Sequence, residues 1–157
     1  MKVGRFMYVL WITFAILIIF LFVMPKKLTW RENILAIPVV SYCAWIAHFL
    51  IAVKLDFVDF GPTKEVEYPD FFLVTLIPPL LAITYLNYLK NNHYMMYAVI
   101  WSVGSFLIEY LLSLSGFMKH YEWRLWYSLP VYLLCYLGLK VVYNKLIKCP
   151  SQVSSDK

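Results

Sequence analysis

Glycine is scarce in this chain, at five residues in 157. That leaves little for a phosphate-cradling loop, and neither G-x-S-x-G nor H-E-x-x-H nor a pair of spaced metal ligands occurs. Charge is scarce as well: 15% of residues are charged against 62% hydrophobic, with a mean hydropathy of +0.69. A soluble domain of this size needs a polar exterior, so the balance excludes one and indicates an integral membrane protein. Cysteine is limited to Cys43, Cys135 and Cys149, without a C-x-x-C pair. Neither a metal site nor a disulfide framework is indicated, and the three read as small apolar packers. The expectation is no enzyme, no cofactor and no metal. No soluble module carries a basic patch, so nucleic acid is not expected as a partner either.

Long apolar runs and aromatic residues are what the chain has in quantity. A helix needs about 20 mainly apolar residues to cross the hydrocarbon core. Five segments meet that length: about 6–24, 33–53, 70–89, 94–115 and 125–143, followed by a polar tail, 149–157. The fold class expected is therefore all-α, a single integral membrane domain over 1–157 forming a polytopic bundle of five transmembrane helices. Aromatic residues make up 19% of the chain, many near the ends of these runs, as the headgroup belts of a bilayer require. Lys119, Trp123, Arg124 and Trp126 lie together in KHYEWRLWYSL and read as interfacial anchors. The loop 54–69 holds Asp56, Asp59, Glu65 and Glu67 at spacings that match no calcium loop, and reads as a solvated acidic segment.

Basic residues resist translocation, so loop charge sets orientation. The side shared by the N-terminus and the loops at 54–69 and 116–124 carries Lys2, Arg5, Lys54, Lys64, Lys119 and Arg124. The other carries Lys26, Lys27, Arg31, Lys90, Lys140, Lys145, Lys148 and Lys157. The bias favours an external N-terminus and a cytoplasmic C-terminus. The net charge of +5 suits anionic lipid headgroups.

Pro38, Pro78, Pro79 and Pro130 fall inside apolar runs. Each removes a backbone donor and frees the carbonyl four residues back. In a bilayer those carbonyls need neighbouring helices, hydroxyls or water, so these spans are expected to pack against one another, and the third has the makings of a hinge.

Glu109, in SFLIEYLLSLSGF, is the strongest single signal for a site. An ionisable group inside a span costs at least a few kcal/mol, roughly, and faces protein or a wet cavity. Ala98, Ser102, Ser105, Glu109 and Leu112 recur at steps of three and four, so one face of the fourth span is small and polar. Counting rise per residue places His48, Thr75 and Ser128 at a depth similar to that of Glu109, with Thr13 slightly deeper. The candidate intramembrane polar site is Glu109, His48, Thr75, Ser128 and Ser105, with His48 as the expected partner of Glu109. Three arrangements are open: a protonated Glu109, an ion pair with His48, or a reach to Lys119 or Arg124 along the interface.

Four stretches carry a resemblance. PKKLTWRE (25–32), YPDFFLVTLIPPL (68–80), IEYLLSLSGFMKHYEWRLWY (108–127) and VVYNKL (141–146) resemble a family of small five-span membrane proteins from spore-forming bacteria of the Bacillus and Clostridium type. The intramembrane Glu followed by a Trp-rich turn is its most specific part. The resemblance implies a bacterial cell membrane and brings no activity with it. A structural or partner subunit of a membrane assembly is the function expected, with the lipid bilayer and a homo-oligomer or membrane protein as partners. The alternative is a minimal transporter or channel component using a Glu109 and His48 layer.

Overall fold

The computed structural model describes residues 3–60 and 68–148. Glu65, Glu67, Lys64 and the tail 149–157 lie outside them. The chain is an all-α helical bundle of five helices: α1 (Val3–Val23), α2 (Trp30–His48), α3 (Tyr68–Tyr88), α4 (Tyr94–Ser115) and α5 (Ser128–Val142). Single π-helical turns, Phe49–Lys54 and Tyr143–Ile147, extend α2 and α5, and a 3-10 turn, Leu125–Tyr127, leads into α5. With these extensions α2, α3, α4 and α5 are long and apolar enough to cross a membrane. Helix α1 is 21 residues long.

Helix α3 is the axle of the bundle, packing against each of the other four helices. Its second half is buried without interruption from Leu81 to Asn87. A helix apolar all round belongs inside other helices. The remaining helices leave large apolar side chains exposed, among them Ile16, Ile19, Val99, Leu107, Leu134 and Val141. Surface of that kind is at rest in lipid and not in water.

Local chemistry explains the element ends. Helix α2 starts at Trp30 rather than Asn33 because Thr29 and Glu32 close a capping box. The Glu32 backbone N–H donates to Thr29 Oγ1 at 3.3 Å, and the Glu32 carboxylate accepts from the Thr29 backbone N–H at 2.8 Å and from its hydroxyl at 2.9 Å. Helix α4 stops at Gly116, which adopts φ 84° and lets the Phe117 N–H return to the Leu112 carbonyl at 3.1 Å. This left-handed cap suits glycine because no Cβ meets the neighbouring carbonyl. It folds Phe117 back into the core, 0% exposed, beside Leu10, Leu17, Ile77, Leu81 and Leu112.

The sequence did not suggest a sheet, yet two three-residue strands pair across the end of the bundle. Strand β1 (Val58–Phe60) runs antiparallel to β2 (Met118–His120), with Val58 opposite His120 and Phe60 opposite Met118. So short a ribbon is not stable by itself. Val58, 4% exposed, and the Phe60–Phe117 ring contact at 6.4 Å seat it on the helices.

The two prolines of α3 do not break it. Pro79 has no N–H to give the Thr75 carbonyl, and Ser41 Oγ of α2 donates to that carbonyl at 3.0 Å instead. One turn further along α2, Trp45 Nε1 donates to Thr75 Oγ1 at 3.1 Å. The expected hinge position is a clasp between two helices.

Candidate functional site

Glu109 sits three-quarters of the way along α4 and is 5% exposed. Its carboxylate accepts from Ser128 Oγ at 2.7 Å and from His120 Nε2 at 3.0 Å on Oε1, and from Tyr132 hydroxyl at 2.7 Å on Oε2. Ser128 opens α5 and Tyr132 is one turn on, so both face α4 by helical spacing alone. His120 closes β2 and reaches the same carboxylate because Gly116 turns the chain back. The donors thus come from α5 and from the ribbon.

An outer tier orders these donors. Trp123 Nε1, which can only donate, gives its hydrogen to Ser128 Oγ at 3.0 Å, leaving the serine hydrogen for Glu109. On the other side, His120 Nδ1 lies 3.4 Å from Ser113 Oγ. With Nε2–H donating to Glu109, Nδ1 is the acceptor and the Ser113 hydroxyl the donor. All the chains then converge on one carboxyl group, which has enough lone pairs for the three bonds. When the imidazole carries a second proton, the 3.0 Å contact becomes an ion pair.

One turn deeper along the same seam, Ser105 Oγ is 2.7 Å from Tyr136 hydroxyl, so Ser128, Tyr132 and Tyr136 meet α4 at successive turns of α5. Tyr136 is in turn 4.8 Å from Tyr85 of α3, ring to ring.

The expected polar site is therefore brought together only in part. Glu109, Ser128 and Ser105 share the α4–α5 seam. Thr75 belongs to the α2–α3 clasp. His48 is not the partner of Glu109: its ring packs against Trp45 at 5.4 Å and Phe60 at 4.9 Å, and its Nδ1 has no hydrogen-bond partner among the described residues. Equal depth failed as a guide because α2 contacts α3 and the last turn of α5 rather than the Glu109 face of α4. Of the expected anchors, Trp126 is 76% exposed and Lys119 and Arg124 are exposed. Trp123 is half-buried and acts through Ser128 as part of the site.

His120 and Tyr132 were missed from sequence. Tyr132 was legible as the next residue after Ser128 on one face of α5. His120 was not, since its approach depends on the turn at Gly116 and on pairing with a strand about 60 residues earlier.

A second buried carboxylate lies at the opposite end of the bundle. Glu32, 0% exposed, accepts from Tyr143 hydroxyl at 3.3 Å in addition to its capping box, tying the start of α2 to the end of α5. Beside it, Asn87 Oδ1 accepts from the backbone N–H groups of Lys27 at 2.9 Å and Leu28 at 3.0 Å.

Two shallow cavities lie among the described residues. One of about 320 Å³ lies on the surface and is lined by Leu55, Asp56, Tyr121 and Glu122. The other, about 50 Å³, is an apolar notch lined by Leu10, Trp11, Phe14, Phe72, Leu76 and Ile77. Glu109 lines neither. Among the described residues no three His, Cys, Asp or Glu side chains converge on a metal position. The fold and the site define a multi-pass helical membrane protein with a carboxylate-centred seam. Compared with protein-family models, curated proteins and solved structures, the chain finds no match.

Proposed function

We propose that this chain is a structural or partner subunit of an assembly in a bacterial cell membrane, in which the Glu109 seam sets the geometry of the bundle. The observation that carries this reading is the satisfaction of Glu109. Each oxygen is taken by donors of the protein itself, and the side chain is 5% exposed. A transport site needs a wet approach and a carboxylate with capacity to spare; a lock needs neither.

In this reading the N-terminus lies outside and the C-terminus in the cytoplasm. Supporting this, the helix ends nearest Lys26, Lys27, Arg31, Lys90, Lys140, Lys145 and Lys148 have Glu32 as their acidic residue among those described, and it is buried and bonded. Basic loops of that kind stay on the cytoplasmic side beside anionic lipid. The opposite end balances Lys54, Lys119 and Arg124 against Asp56, Asp59, Asp70 and Glu122.

Mild solubilisation of the native membrane, affinity capture of the tagged chain and mass spectrometry test the assembly. A partner or a second copy recovered in fixed ratio is the expected result. A chain that elutes alone from several detergents and from lipid nanodiscs overturns it. Orientation is read separately, by labelling Lys27→Cys and Asp56→Cys in intact cells with an impermeant maleimide: Asp56→Cys alone should react.

A further inference from the structure

The geometry points to Ser113 as a nucleophile towards carboxylic esters at the membrane surface, with His120 as its general base and Glu109 as the residue that orients that base. It goes beyond the subunit reading, sharing the His120–Glu109 contact with it and adding the contact between Ser113 and His120.

Three side chains form a line: Ser113 Oγ to His120 Nδ1 at 3.4 Å, and His120 Nε2 to Glu109 Oε1 at 3.0 Å. A hydroxyl within reach of an imidazole, itself held by a carboxylate through its other nitrogen, is the recurring arrangement of activated serines on unrelated folds. With the Nε2 hydrogen given to Glu109, the Nδ1 lone pair faces the serine. Ser128 and Tyr132 bond to Glu109 and hold its side chain in place.

Position suggests the substrate. Ser113 is half-buried, one turn after Glu109 and two residues before the end of α4. At about 1.5 Å per residue it lies about 3 Å inside the helix end, near the level at which headgroup meets hydrocarbon and where the acyl ester bonds of a lipid lie. Tyr110 and Leu114 on its lipid-facing flank are 43% and 63% exposed, so an acyl chain can approach the serine from the bilayer. The class of substrate is a lipid acyl ester.

The reaction balances without a further reagent except water. Ser113 Oγ adds to the ester carbonyl carbon as its proton moves to His120 Nδ1. The carbon–oxygen bond to the alcohol then breaks, and the same proton passes to the departing oxygen, leaving an acyl-serine. Water, deprotonated by His120, releases the fatty acid and restores the serine.

The test uses the full chain in phosphatidylglycerol nanodiscs and a fluorophosphonate probe, read by peptide mass spectrometry. The expected result is one adduct, on Ser113, absent in Ser113→Ala. Loss of the base in His120→Gln should slow labelling by about 100-fold or more, the usual scale of general-base assistance. Melting curves show whether His120→Gln is folded. If it is not, the comparison is made with Glu109→Gln, which keeps an acceptor for His120 Nε2 without the charge and should also slow labelling. No adduct on Ser113 overturns the inference, as does labelling of Ser113 at a rate indifferent to both His120 and Glu109. Because capture of a partner and labelling of Ser113 are independent readouts, failure of one reading leaves the other standing.

Discussion

Replacing Glu109 separates a carboxylate that locks the helices from one that is merely tolerated. In Glu109→Gln the side chain keeps one acceptor oxygen, which can serve Ser128 and His120, while its amide faces Tyr132 and turns that hydroxyl away. What is lost is chiefly charge assistance. A charge-assisted bond is about twice as strong as a neutral one, and side-chain hydrogen bonds within membranes average about 0.6 kcal/mol, reaching about 1.7. Three such bonds place the cost of Gln at about 1 to 2 kcal/mol. Glu109→Leu leaves three donors facing hydrocarbon, and the cost rises to about 3 kcal/mol, tempered by the charge no longer buried. Ser102→Ala is the control. Ser102 is as buried as Glu109, but its hydroxyl donates to Ala98 of its own helix, so its loss should cost under about 0.5 kcal/mol. Unfolding in mixed micelles by added SDS, followed by far-ultraviolet circular dichroism, gives the order wild type, Ser102→Ala, Gln, Leu. A Leu variant as stable as wild type would show that desolvation of the carboxylate outweighs its bonds, and the lock argument fails.

Other perturbations probe the scaffold. Ser41→Ala should cost about 1 kcal/mol by freeing the Thr75 carbonyl, and much less in a Pro79→Leu background, where the new N–H takes that carbonyl; additive losses in the double-mutant cycle refute the clasp. Gly116→Ala should cost about 1 kcal/mol from its positive φ alone, since no atom beyond its chain neighbours lies within 4 Å of the added Cβ, whereas Gly104→Ala in mid-α4 should be neutral or stabilising on the same melting assay. Thr29→Ala should cost about 1 kcal/mol by opening the capping box, and hydrogen exchange should rise first at the start of α2. Equal protection in the two proteins would place the start of α2 under tertiary control.

The parts of the fold legible in the sequence are those set within one element. Hydropathy located the helices, and the spacing of Ser102, Ser105 and Glu109 on α4 showed which face turns inward, as their burial bears out. The capping box was equally local, in T-W-R-E, but Arg31 and Glu32 resembled loop residues when apolar length was the criterion. Pairing between elements was not legible. Depth along a helix is a count of residues, whereas adjacency is decided by packing over the whole bundle. His48 and His120 lie near the same end of the molecule, and only the ribbon between 58–60 and 118–120 determines which of them reaches Glu109. The loop that carries His120 read as an anchor because its aromatic and basic composition is that of an interface, and Trp126 does sit exposed there.

In a bilayer, lipid tails are as apolar as leucine, so burial of apolar surface does little to choose one helix neighbour over another. The polar contacts in this chain fall where that choice has to be made. Ser41 and Trp45 assign α2 to α3; Ser105, Glu109, Tyr132 and Tyr136 assign α4 to α5; Tyr143 and Glu32 close α5 onto α2. Helix α1 is placed differently. Leu10 and Leu17 give it an apolar seat against Ile77 and Leu112, and its exit is fixed by Asn87 at the end of α3. Asn87 accepts from Lys27 and Leu28 and donates to Asn33 at 3.3 Å and to the Ile83 carbonyl at 2.9 Å. An amide that makes four bonds while 0% exposed has no freedom left. It holds the α1–α2 turn at the end of α3, and α1 need only follow the groove its own apolar face fits.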